Sequence, residues 1–245
     1  MKLPKPRYIL LFLPFVFSNT AFSQTVNPPI SKYGVPVIKD IAMYEETVKA
    51  DSNKRMVEIK SVIPNIVYDL KYASDKNFTH RNLYPAKTSY TFLRLSAVKA
   101  LAEVQKELNA NGLGLKIFDA YRPYSVTEKF WEWILNEKYV ADPKKASGHN
   151  RGLSLDVTLI YQHNGKEVTM PSGFDNFSDT AHHSFMNIPF EAMQNRKLLK
   201  DVMEKYGFQK FETEWWHYSW PDEKNYYDAM DIPFADFKNS AEKKK

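Results

Sequence analysis

Apolar positions along the chain follow two periods. Val98, Leu101, Val104 and Leu108 keep helical spacing after Ser96, and Asn111-Gly112 follows as a stop signal, so the pattern predicts a helix there. Leu113, Leu115 and Ile117 then alternate as a strand ending at Asp119. Ser125-Val126-Thr127-Glu128 has the form of a capping box and predicts a second helix through about Tyr139, with Phe130, Trp131, Ile134 and Leu135 inward. After Gly152, Leu153, Leu155, Val157 and Leu159 fall on one parity and Ser154, Asp156 and Thr158 on the other, the pattern of a half-buried strand. A third helix is predicted from Pro189 to Tyr206, with Met193, Leu198, Leu199, Val202 and Met203 inward and Gly207 at its end. Val57 to Ile63 reads as a further strand, and Phe208 to Trp220 as an aromatic, strand-like stretch. The mixture predicts one α+β domain over residues 54–222, a central, mainly antiparallel sheet flanked by helices.

The ends read differently. Residues 1–23 have the form of a secretory signal peptide. Lys2, Lys5 and Arg7 open it, Ile9 to Phe17 is apolar around Pro14, and Ala21-Phe22-Ser23 has the small-x-small cleavage form. The apolar run is too short to span a membrane, so no stable insertion is expected after cleavage. The expected location is across the inner membrane, in the periplasm. Residues 24–53, with Pro28-Pro29 and Pro36, read as an extended arm or linker with one helical turn, and residues 223–245 as a mobile polar tail ending in Lys243-Lys244-Lys245.

Composition narrows the class. Of the 245 residues 43 % are apolar, enough for a core and against wholesale disorder. The net charge of +5 owes three positions to the leader, and no basic stripe points to nucleic acid. With no cysteine, an exported chain must rely on its core and a metal for stability.

Candidate chemistry sits in two stretches. In Ser147-Gly148-His149-Asn150-Arg151-Gly152-Leu153-Ser154-Leu155-Asp156, glycines let the loop bring His149 back over the strand toward Asp156. Taken alone, this pair is as well explained by a surface histidine and a turn-capping aspartate. The second stretch, Glu214-Trp215-Trp216-His217, supplies another imidazole and another carboxylate. Catalytic zinc takes three protein ligands and a water, a requirement met by His149, Asp156 and His217 with Glu214 acting on the water. An ideal strand puts Glu214 and His217 on opposite faces, so a shared centre requires a bulge or turn through Trp215-Trp216. A carboxylate among tryptophans is poorly solvated, which raises its proton affinity as a general base needs. Arg122, just past a strand end, is placed either to donate to an oxyanion or to pair with Asp119, and the two roles are compatible. Ser147 is a candidate substrate contact or a turn former. The adjacent His182-His183 are read as non-ligands, since neighbours on a strand face opposite ways.

Four ordered motifs carry a resemblance: Asp69-Leu70-Lys71-Tyr72-Ala73 with Asn77-Phe78, Asp119-Ala120-Tyr121-Arg122-Pro123, Ser147 to Asp156, and Glu214-Trp215-Trp216-His217-Tyr218. From about Val57 to Trp220 the chain resembles the D-alanyl-D-alanine dipeptidases of the VanX type, zinc DD-peptidases with a Hedgehog-like fold. The resemblance implies one Zn2+ on His149, Asp156 and His217, Glu214 as acid/base and Arg122 as transition-state stabiliser. It also implies a small D,D-dipeptide substrate whose amine pairs with Asp175, and a cleft beside the Asn77-Phe78 loop. Asp119, Tyr121, Ser147 and Asp175 are the substrate-contact candidates. Here the family's Met-Gly-x-x-Phe-Asp reads Pro-Ser-Gly-Phe-Asp. A D,D-carboxypeptidase trimming longer wall peptides and a zinc-containing wall-binding module without turnover are the alternatives.

Overall fold

The structure is a computed structural model; apart from Met1, it describes residues 27–135 and 140–242. The leader, the lysines at the C-terminus and the expected end of the second helix lie outside the described residues.

In chain order the elements are β1 (Val37–Ile38), α1 (Ile41–Ala50), β2 (Met56–Glu58), β3 (Val67–Tyr68), β4 (Phe92–Arg94), α2 (Leu95–Ala110), β5 (Leu113–Asp119), α3 (Tyr124–Ile134), α4 (Gly148–Arg151), β6 (Ser154–Tyr161), α5 (Phe190–Lys205), β7 (Gln209–Phe211), β8 (Glu214–Ser219), β9 (Ala229–Met230) and α6 (Phe234–Glu242). A five-stranded sheet runs in the order β3-β5-β6-β8-β7 and is antiparallel except for β3 on β5. This is the expected α+β class. Helix α2 lays Val98, Leu101, Val104 and Leu108 on the sheet, all at most 1 % exposed, where they meet Leu115, Ile117, Leu155 and Leu159. No helix among the described residues is long and apolar enough to cross a membrane.

Five local expectations are corrected. The segment read as an extended arm holds β1, paired in parallel with β9, and the ten-residue α1, capped by Asp40. The segment read as a mobile tail holds β9 and α6, whose Phe234 and Phe237 are buried against Tyr44, Phe92 and Tyr121. Strand β2 stops at Glu58, where a short 3-10 turn takes over. Helix α3 starts at Tyr124 with Pro123 as cap, and no capping box forms at Ser125. Its amide donates instead to the Asp231 carboxylate, 2.9 Å away, so a residue remote in sequence does the capping. On α5 the inward positions include Ala192 and Arg196, whereas Leu198 is exposed, because the helix turns its Ala192–Arg196–Leu199–Met203 stripe to the sheet.

Candidate active site

The site is assembled where β5, β6 and β8 end together. Ser147 caps α4, accepting from the Asn150 amide (3.3 Å) while its own amide donates to Asn150 Oδ1 (2.9 Å). This one-turn helix, not an open loop, carries His149. Gly152 ends it at φ +70, a conformation that disfavours any side chain, and a Cβ there would lie 2.5 Å from Met56 Cε. His149 is buried, and its Nδ1 donates to the Ala120 carbonyl at 2.7 Å, which leaves Nε2 as the lone-pair atom facing the cleft.

Strand β6 presents Asp156, and β8 pairs with it so that Asp156 faces His217. The bulge demanded by the sequence is present: pairing of β7 with β8 jumps from Lys210–Tyr218 to Phe211–Glu214, so one step along β7 is matched by four along β8. The extra residues bring Glu214 round to the His217 side, with Glu214 Oε2 3.8 Å from His217 Nδ1.

The three ligand atoms form a small triangle. His149 Nε2 to His217 Nδ1 is 3.3 Å, His217 Nδ1 to Asp156 Oδ1 is 2.9 Å, and His149 Nε2 to Asp156 Oδ1 is 3.5 Å. Tetrahedral zinc with bonds of about 2.0–2.2 Å spaces its ligand atoms by about 3.4 Å; two edges of the triangle match, and the His217–Asp156 edge, at 2.9 Å, is shorter and would open on binding. This is the group of His149, Asp156 and His217 able to hold a metal among the described residues. Burial pushes the Asp156 carboxyl up, but the imidazoles of His149 and His217 outweigh it and hold the group well below the usual carboxylate range. It is therefore an ionised ligand at neutral pH.

The second nitrogen of His217 is also engaged. Nε2 lies 3.2 Å from Ser219 Oγ, which lies 2.6 Å from Ser154 Oγ. Donation from Nε2–H into this hydroxyl pair leaves Nδ1 free for metal. Ser154 presses in turn on Gly148, where a Cβ would come within 2.0 Å of Ser154 Oγ. Gly148→Ala is expected to weaken metal affinity about 10- to 100-fold by displacing the Ser154–Ser219 pair. Adding Ser154→Ala should recover much of the loss; competition with a chromophoric chelator measures both, and strictly additive effects would remove the link.

Arg122 is buried and held from three sides. Asp119 accepts from Arg122 Nε (2.8 Å) and Nη2 (2.7 Å), and Tyr84 adds its hydroxyl to the same carboxylate at 2.6 Å. The rings of Tyr72 and Phe130, themselves in edge contact at 5.0 Å, both pack against the guanidinium, at 5.2 and 4.9 Å. Asn150 donates to the Arg122 carbonyl and to Thr127 Oγ1, both at 2.9 Å, stitching the arginine's backbone to the histidine helix. Nη2 reaches to 3.8 Å from Asp156 Oδ2, so the guanidinium borders the metal triangle.

Asp175 closes the far end of the cleft. Its φ is +57, and Tyr72 donates to its two oxygens at 3.1 and 3.4 Å. Burial, reinforced by Asp156, pushes its carboxyl well above the usual range. The enclosed volume is about 330 Å³, bordered by Arg122, Glu214, His217 and Asp175 and walled by Phe78 and Phe177. Glu214 is pushed up to about 7, chiefly by burial and then by Asp156, against the opposing pull of His217.

The structure thus gathers Glu214, Arg122, His149, Asp156, His217, Ser147 and Asp175 around one cleft. It separates two candidates from it. Tyr121 is fully buried on the opposite side of the β5 end; its hydroxyl donates to the Ile232 carbonyl and accepts from the Ile232 amide, both at 2.9 Å. Asp119 is fully buried behind Arg122 and acts on it, not on a ligand in the cleft. His182 and His183 lie apart from the ligand triangle. Sequence reasoning gave no role to Tyr72, Tyr84, Asn150, Ser154 or Ser219. The two serines were findable, since Ser154 shares the parity of Asp156 and Ser219 that of His217.

Comparison with known proteins identifies the family. The Peptidase_M15 family, described as D-ala-D-ala dipeptidase, matches residues 52–240. A D-alanyl-D-alanine dipeptidase of Escherichia coli (strain K12) is 33 % identical over 171 residues, 70 % of this chain and 87 % of that one. A D-alanyl-D-alanine dipeptidase of Enterococcus faecalis (strain ATCC 700802 / V583) is 32 % identical over 183 residues, 67 % of this chain and 91 % of that one. Among solved structures, the LdcB LD-carboxypeptidase overlaps with a TM-score of 0.36 at 22 % identity, over 55 % of this chain and 61 % of that one. The chain is a metallopeptidase and belongs to the D-Ala-D-Ala dipeptidase family.

Proposed function

We propose that this enzyme is an exported zinc dipeptidase that hydrolyses D-alanyl-D-alanine to two molecules of D-alanine. The observation that carries the reading is the placement of Glu214, 3.8 Å from His217 Nδ1, at the edge of a compact triangle of candidate ligand atoms. His149 Nε2, Asp156 Oδ1 and His217 Nδ1 would hold the zinc, which when bound lowers the pKa of water and polarises a carbonyl.

The chain's own groups do the rest. Asp175 receives the substrate's ammonium, the ligand best able to offset a carboxylate whose ionisation burial opposes. Arg122, fixed by Asp119 and packed against the adjoining rings of Tyr72 and Phe130, donates to the oxygen on which charge develops. Glu214 takes a proton from the attacking water as the carbon–oxygen bond forms. It returns that proton to the leaving nitrogen as the carbon–nitrogen bond breaks. Ser147 is occupied in capping α4, which supports a positioning role for its hydroxyl.

The test is hydrolysis of free D-Ala-D-Ala beside L-Ala-L-Ala and an N-acylated D-Ala-D-Ala, with a chelator control. Chelator-sensitive cleavage confined to the free D,D-dipeptide is expected. In Asp175→Ala, KM for the free dipeptide should rise about 10-fold or more, the effect of losing one charge-assisted contact. Efficient cleavage of the acylated substrate would move the enzyme to the carboxypeptidases and remove Asp175 as the amine partner.

A further inference from the structure

Behind β8, on the side to which Tyr218 points and from which His217 is turned away, lies a second cavity of about 310 Å³. Its lysines are matched by carboxylates: Lys197 by Asp201, Lys200 by Asp201 and Glu204, and Lys210 by Glu212. Arg196 of α5 is different. It is 5 % exposed, and Nη1 donates to the carbonyls of His182 and Phe185, both at 2.8 Å. Nη2 meets only Met186 Sδ, at 3.9 Å; Glu212 on the same wall acts on the guanidinium as a nearby charge, but among the described residues no carboxylate forms an ion pair with it. A buried, unpaired guanidinium is costly unless its remaining donors are used. His183, on the same cavity wall, has its Nε2 buried without a partner.

We propose that this cavity binds a small oxyanion, gripped by the free edge of the Arg196 guanidinium, with His183 on the wall beside it. The guanidinium fork matches carboxylate and phosphate alike, so the shared chemistry is that of a compact oxyanion. Seating it would tie α5 to the turn before Glu214, because the His183 amide donates to the Glu212 carbonyl at 2.9 Å. This site is independent of the peptidase reading and needs no metal in the cleft.

The experiment is titration of the full chain with sodium phosphate and, separately, sodium acetate, with sodium chloride at matched ionic strength. Nitrogen NMR of the Arg196 Nε and His183 ring resonances gives the readout. Saturable shifts at both residues with a Kd of about 1 mM or tighter are expected for at least one oxyanion and not for chloride. Whichever oxyanion saturates identifies the source. Arg196→Lys should weaken binding at least about 10-fold, since it keeps the charge and loses the fork. Should that variant not fold, Glu212→Gln leaves the Arg196 carbonyl contacts in place, removes the carboxylate that acts on the guanidinium, and should tighten binding several-fold. Absence of saturation with both oxyanions, identical shifts with chloride, or unchanged affinity in the folded variants would overturn the site.

Discussion

Glu214→Ala is expected to lower kcat by about 10³-fold while leaving metal content unchanged, because a positioned acid/base typically contributes 10²–10⁴-fold and the ligand triangle does not include this residue. Elemental analysis and turnover on one preparation separate the two effects. Turnover within a few-fold of wild type would remove Glu214 from its role. The pH dependence has a definite sign. Glu214 acts in its ionised form, so kcat/KM should rise as pH passes upward through its pKa. In metal-free protein its carboxyl should titrate near 7 by carbon NMR, held up chiefly by burial. A cation on the neighbouring triangle favours the ionised form, so metal should move that titration, and with it the acid limb of activity, downward. An upward movement on metal loading would contradict the geometry.

His217→Ala is expected to remove both metal and activity. Two ligands would remain, and the loss of affinity should exceed the about 10- to 100-fold that changes around a ligand typically cost. Its variant should retain the fold, since Trp215, Trp216 and Tyr218, not His217, fill the core beside β8. One metal bound per chain at wild-type affinity would break the ligand assignment. Asp156→Asn makes a useful contrast: it keeps an oxygen donor and loses the charge that both imidazoles stabilise, so partial metal retention is expected.

The strands that carry the site could be read from the sequence because both their cause and their consequence are local. Alternation at Leu153–Leu159 fixed the face of Asp156, and the apolar stripe of α2 predicted its burial on the sheet. The bulge between Glu214 and His217 followed from requiring two residues three apart to serve one centre. What escaped reading depends on partners far away in the chain. Helix α6 is short and carries its burial on Phe234 and Phe237, whose partners Tyr44, Phe92 and Tyr121 lie far away in the chain. The Ser125 signature was overruled by Asp231. Tyr121 sits beside Arg122 in sequence, yet the chain turns at the β5 end and sends the two side chains to opposite destinations, a core and a cleft. Asn150 and Tyr84 act through a backbone carbonyl and a buried carboxylate, relations that residue type and spacing do not encode.

The parallel pairing of Val37 with Ala229 bears on the order of folding. It joins segments from near opposite ends of the chain, and the neighbouring Lys54–Asp228 and Glu45–Ser240 contacts do the same. Closing so long a loop carries an entropic cost that shorter loops avoid, and such contacts slow folding. His149, Asp156 and His217, the candidate metal ligands, by contrast sit at the antiparallel core of β5, β6 and β8. Joining of the ends is therefore expected to come after the antiparallel core has formed, and to complete the support of α4, which packs on β9. A clasp that closes late is expected to slow the return to the unfolded state more than it speeds folding.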